Sequence, residues 1–89
     1  MKAIISVIGK DTIGILAKVS TVCAENFANV SDVTQSILQD MFVMVMLVDI
    51  SDERCDMATL RASLNSLAED LGMQISLMHE DIFNSMHRI

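Results

Sequence analysis

Two glycines, Gly9 and Gly14, flank the stretch Lys10-Asp11-Thr12-Ile13 where an apolar run gives way to an amphipathic one. Glycine lets a backbone approach a ligand closely, and the first amides of a following helix point outward without intrahelical partners. Such a helix start attracts carboxylate or phosphate groups. Asp11 in the same loop offers a partner for an ammonium group, so together they suit a zwitterionic amino acid. The glycine pair alone fits equally an ordinary strand-to-helix turn with an aspartate cap. Its spacing is not that of a dinucleotide-binding fingerprint.

A second candidate is Asn29-Val30, with Asp32 just beyond. Asn29 supplies both a donor and an acceptor, and it also fits a plain turn. His79-Glu80-Asp81, with His87 further on, has neither helical nor finger spacing for a metal, and a structural or solvated role fits it better. Cys23 and Cys55 are too few and too far apart for a redox pair or a zinc site, and read as two reduced thiols with Cys23 in the core. No grouping of nucleophile, base and acid appears, and neither a metal nor another cofactor is expected. The chain carries 6 Lys+Arg against 12 Asp+Glu, a net charge of -6, which disfavours a phosphate backbone as partner. An RNA-stacking sheet is disfavoured as well, with no Trp or Tyr and only 3 Phe.

The elements that must position these residues follow from hydropathy patterning. With 89 residues, 52% of them hydrophobic, the chain makes one domain, 1–89, with one thin core. Ala3 to Ile8 reads as a central strand, and Asp11 or Thr12 can cap the helix that follows. That helix places Leu16, Val19, Cys23 and Phe27 on one face, with Asn26 as a left-handed cap at its end. Val30 to Gln39 is polar and loosely alternating, as in an edge strand. Met41 to Val48 is apolar at every position, so both of its faces need cover. Asp56 caps a second helix with the stripe Met57, Leu60, Leu64, Leu67 and Leu71, closed by Gly72. Met73 to His79 alternates as a fourth strand, and Glu80 to Met86 forms a short helix that folds Ile82, Phe83 and Met86 back onto the body.

The order strand-helix-strand-strand-helix-strand predicts an α+β, ferredoxin-like βαββαβ sandwich. Four antiparallel strands carry two helices on one face, and right-handed crossovers put the first and third strands in the centre. The second face of Met41 to Val48 then needs cover from the short tail or from another chain, which predicts a homodimer. No leader and no run of the ~20 apolar residues needed to cross a bilayer is visible, so a cytoplasmic protein without membrane contact is expected.

With loop, helix and Asn29 in place, the chain resembles the ACT-domain family. Gly9-Lys10-Asp11-Thr12-Ile13-Gly14-Ile15-Leu16-Ala17-Lys18-Val19-Ser20 is similar to the family's G-x-D-x-x-G-[IL]-[LV]-A-x-[VI]-S stretch, and Ala24-Glu25-Asn26-Phe27-Ala28-Asn29-Val30 to its A-E-x-x-x-N-I element. The likeness extends over nearly the whole chain to small stand-alone bacterial and archaeal members, and to the first domain of the glycine-cleavage repressor. It implies a regulatory module that senses amino acids or similar small molecules and catalyses nothing itself. Domains of this family pair, often side by side, and ligands sit between the loop after the first strand and a neighbouring domain. Carried over by position, Gly9, Asp11, Thr12, Ile13 and Gly14 line that site, with Asn29, Val30 and Asp32 near it. With no enzyme attached, the output is expected to pass through a regulated protein in trans or through the oligomer. A ligand-free adaptor subunit is the alternative. An acylphosphatase-like enzyme of the same architecture fits less well, because the loop has no arginine to fork around a phosphate.

Overall fold

The computed structural model describes residues 1–10 and 13–86. The elements are β1 (Lys2–Lys10), α1 (Ile15–Glu25), β2 (Asn29–Leu38), β3 (Met41–Asp49), α2 (Met57–Leu71), β4 (Gln74–His79) and α3 (Glu80–Met86). Every neighbouring strand pair is antiparallel, in the order β2-β3-β1-β4. The expected βαββαβ sandwich is therefore present, with the two most apolar strands in the centre and the polar β2 at an edge.

One sheet face builds the core. Ala3, Ile5 and Val7 of β1 and Phe42, Met44, Met46 and Val48 of β3 are buried, alternating with residues of the opposite face. Val19 and Cys23 of α1 and Leu60 and Leu64 of α2 close over them. Leu67 and Leu71 pack at the margin, so the apolar stripe of α2 is as its spacing implies. Arg61 on α2 donates to the Leu77 carbonyl of β4 at 3.1 Å, tying helix to sheet.

Three expectations for local structure are corrected. The buried side of α1 is Ile15, Val19 and Cys23, whereas Leu16 and Phe27 face water. A helical face repeats at three and four residues, and choosing Leu16 in place of Ile15 rotates the stripe by one position. Asn26 is not left-handed; Phe27 is, at φ 60°. The amides of Phe27 and Ala28 donate to the Ala24 and Cys23 carbonyls at 3.2 and 2.9 Å, so Phe27 occupies the position where glycine usually closes a helix. The Asn26 side chain instead donates back to the Val22 carbonyl at 2.8 Å. At the tail, Ile82 is 56% exposed and does not fold onto the body, while the side chains of Phe83 and Met86 lie outside the described residues.

The two caps expected for α2 hold, whereas α1 begins at Ile15 with Gly14 as its N-cap in place of the expected Asp11 or Thr12. Asp56 accepts from the Thr59 amide at 3.2 Å and its hydroxyl at 2.7 Å. Gly72, at φ 64°, ends α2 with its own amide on the Glu69 carbonyl and the Met73 amide on the Ala68 carbonyl.

Candidate functional site

The two candidate glycines are glycines for different reasons. A Cβ built on Gly9 would lie 2.8 Å from Met73 Cγ and 2.9 Å from its Cε, so the close approach at the end of β1 is to a side chain of the same molecule. Among the described residues, nothing lies within 4 Å of such a Cβ on Gly14, which sits at φ 83°, where other residues are strained. It opens α1 without a side-chain cap. Among the described residues, no group accepts from the first-turn amides of Ile15, Leu16 and Ala17, at the positive end of α1. Ile13 beside it is 94% exposed. Asp11 and Thr12, expected in the same site, lie outside the described residues.

Asn29, Val30 and Asp32 are elsewhere. Gly9 stands opposite Phe42 on β3, whereas Asn29 stands opposite Asp49 and Asp32 opposite Leu47. Phe42 and Asp49 are seven residues apart along one strand, roughly 23 Å at ~3.3 Å per residue. Within one chain the structure therefore groups Gly9, Ile13 and Gly14 at one end of the sheet and Asn29, Val30 and Asp32 towards the other. Asn29 is exposed, Val30 packs against the core, and Asp32 accepts from the Val33 amide at 2.9 Å, just after the bulge between Val30 and Asp32 that shifts the β2 register.

The end that holds Asn29 is densely cross-linked. The N-terminal ammonium of Met1 donates to Ser51 Oγ at 2.7 Å, and the Ser51 amide to Asp49 at 2.8 Å. Asp52 accepts from Arg54 Nε and Nη2 at 3.1 and 2.9 Å, and these bonds hold its carboxyl down at about 2. The Arg54 guanidinium lies 4.2 Å from the Phe27 ring centroid. This arginine, stacked on Phe27 two residues before Asn29, was not singled out by its sequence context. A scattered arginine carries no spacing signal until the fold places it.

Cys23 and Cys55 are both free thiols. Burial, and then the proximity of Cys55, pushes Cys23 up to about 11, and burial raises Cys55 as well. Both are therefore poor nucleophiles at neutral pH. His79 Nδ1 accepts from the Asp81 amide at 3.2 Å and lies 3.6 Å from its carboxylate. Among the described residues no three His, Cys, Asp or Glu side chains gather as metal ligands, and His87 lies outside them. No described helix is long and apolar enough to cross a membrane.

A ferredoxin-like sandwich in which a central strand turns through a glycine-flanked loop onto an uncapped helix defines a class of small α+β modules. The chain belongs to the ACT-domain family, whose model matches residues 2–78. It is 50% identical over 88 residues to a UPF0237 protein of Methanocaldococcus jannaschii, covering 99% of this chain and 98% of that one. A UPF0237 protein of Clostridium acetobutylicum is 44% identical across the whole of both chains. Among solved structures, an ACT domain protein from Streptococcus pneumoniae superposes with a TM-score of 0.80 at 40% identity, covering 93% of each chain. A putative glycine cleavage system transcriptional repressor shares the fold at a TM-score of 0.74 and 18% identity, with 85% of this chain matching 43% of that one. Stand-alone relatives of matching length, and a family that is typically regulatory and ligand-binding, are thus what the chain is similar to.

Proposed function

We propose that the chain is a regulatory module that binds a small molecule, in the first instance an amino acid, between two copies of itself. The observation that carries this reading is the separation of the two candidate groups along β2. β2 is an edge strand, with its outer backbone groups available to another chain. A second β2 paired antiparallel about a two-fold near Val33 would set each copy's Asn29 and Val30 beside the other's Ile37 and Leu38. Leu38 is opposite Met41, and Met41 is opposite Lys10, so this is the end that carries the Gly9–Gly14 loop. α1 touches β2 while α2 touches β4, so the uncapped start of α1 lies on the side that the second copy would approach.

In that arrangement the α1 amides meet a carboxylate, Asn29 of the second copy hydrogen-bonds the ligand, and Asp11 is the partner for an ammonium group. Ligand then bridges the two chains, so binding and pairing reinforce each other. A change in the dimer is what a regulated protein in trans would read. No group in this reading performs catalysis.

The test is a thermal melt of the chain, and of Asn29→Ala, against each of the twenty amino acids at millimolar concentration. A ligand at ~100 times its Kd stabilises by about 2.7 kcal/mol. At this size each kcal/mol moves Tm by roughly 4–8 °C. We expect one or two amino acids to raise the Tm of the wild-type chain and to leave Asn29→Ala unmoved. A flat panel would overturn the sensor reading in favour of a ligand-free adaptor.

A further inference from the structure

The crease between α1 and β2 carries no charge, in a chain of which 20% is charged. α1 turns Ile15, Val19 and Cys23 to the core. Its Lys18 and Glu25 line hollows against α2, together with Thr21 and Val22. Helical spacing then leaves Leu16, Ser20 and Ala24 on the flank away from α2, which is the flank beside β2. On β2 the register sets the helix side: Val30, Val33, Gln35 and Ile37 stand opposite the buried Val48, Met46, Met44 and Phe42. Neither row has a charged side chain. Asp32, the charged residue of β2, stands opposite Leu47 and belongs to the other face.

The start of α1 lies at the loop end of this crease. Ile13 is 94%, Ile37 59% and Leu16 39% exposed there. Ile37 stands opposite Phe42, which stands opposite Gly9, so the register brings Ile37 level with the loop. Lys10 stands opposite Met41 and belongs by alternation to the other face. Asp40, in the turn between β2 and β3, offers no counter-charge to an acidic group. Asp11 is assigned above to the ligand's ammonium group. In the two-copy arrangement the second chain adds its Val30 and its half-exposed Phe27. The Arg54 stacked on that ring is already held by Asp52, at 3.1 and 2.9 Å.

We infer, resting on the two-copy reading above, that the amino acid bound between the copies carries an apolar side chain, of the size of valine, leucine or phenylalanine. The α1 amides and Asn29 bind the ligand's main-chain groups. Ile13, Leu16 and Ile37 of one copy, with Phe27 and Val30 of the other, surround its side chain. A charged side chain buried there loses its hydration and meets no counter-charge. An apolar one gains about four-fold in affinity for each methylene removed from water. Leucine, three carbons larger than alanine, gains up to roughly 60-fold over it on full burial. Aspartate has almost the shape of leucine and isolates the effect of charge.

Isothermal titration calorimetry of the wild-type chain, Leu16→Arg and Ile13→Arg, with circular dichroism to confirm folding, tests this. The ligands are valine, leucine, phenylalanine, alanine, aspartate and lysine. We expect the best of the first three to bind wild type at least about tenfold more tightly than any of the last three. Each arginine should narrow the margin over aspartate by about tenfold or more. Ile13 is 94% exposed in the single chain, so Ile13→Arg reports on the site even if Leu16→Arg does not fold. Alanine, aspartate or lysine binding as tightly as the apolar ligands overturns the apolar site and leaves the amino-acid reading standing. Folded variants that keep the wild-type margin overturn it as well. Binding of none of the six overturns the apolar site, and the melt against all twenty amino acids then decides the reading above.

Discussion

The two ends of the sheet are held by different means. At the end where β3 runs into α2, side chains and backbone bind one another: the Met1 ammonium to Ser51, Ser51 to Asp49, Arg54 to Asp52 and over Phe27, and Thr59 to Asp56. At the other end, where β1 meets the Gly9–Gly14 loop and β2 turns into β3, none of the hydrogen bonds found among the described residues involves a side chain. There Ile13 is 94% and Leu38 73% exposed. The first end meets its polar needs within the chain. At the second, among the described residues, α1 starts without a side-chain cap and Ile13 and Leu38 face water, and that asymmetry underlies the two-copy reading.

Substitutions can break or sharpen this contrast. The largest effect is expected at Gly9, where an added Cβ would press on Met73. Gly9→Ala should cost ~1–3 kcal/mol by overpacking, read as a lower Tm. In a Met73→Ala background the same change should cost less, since the Cγ and Cε contacts are gone and only the Cβ at 3.1 Å remains, which a double-mutant cycle would show. Gly14→Ala is expected to cost about 1–2 kcal/mol from the left-handed backbone, since among the described residues nothing lies within 4 Å of the added Cβ. The comparison of these two glycines separates packing from conformation at the same loop.

Phe27 sharpens the contrast from the other end. It holds the left-handed helix-closing position that Gly72 fills on α2. Phe27→Gly and Phe27→Ala both remove the ring under Arg54, and only glycine relieves the backbone. Chemical denaturation should therefore find Phe27→Gly more stable than Phe27→Ala by about 1 kcal/mol.

The smallest effect is expected from pH. Hydrogen bonds from Arg54 hold Asp52 down at about 2, and those from Thr59 and Ser51 lower Asp56 and Asp49. A depressed carboxylate contributes stability that is present above the unfolded value near ~3.9 and lost as pH falls through the folded one. Melting temperatures should stay level from pH 7 to about 5 and fall below about 4. Asp52→Asn should flatten part of that fall, and an unchanged acid limb would show that this network contributes little.

Much of this was legible in the sequence, and the residues show why. Met41 to Val48 is apolar throughout, which marks a central strand, and Leu60, Leu64, Leu67 and Leu71 leave one phase for α2. On α1 the run Val19-Ser20-Thr21-Val22-Cys23 offers adjacent stripes, so Leu16 and Ile15 are not distinguished by spacing. The left-handed role of Phe27 opposes its own preference, and only the closing hydrogen bonds reveal it. For the site, the loop and Asn29 were visible as residues. Their separation was not, because it depends on β2 running parallel to β1 with one strand between them.

The claim that the two groups meet only between chains is tested most directly by isotope-filtered nuclear Overhauser spectroscopy on a mixture of labelled and unlabelled protein. Antiparallel pairing of β2 edges predicts cross-peaks from the Ile37 methyls of one chain to the Val30 methyls of the other, which share the helix side of the sheet. Interchain cross-peaks confined to Ile4, Val45 and Leu47, or none at all, would contradict it.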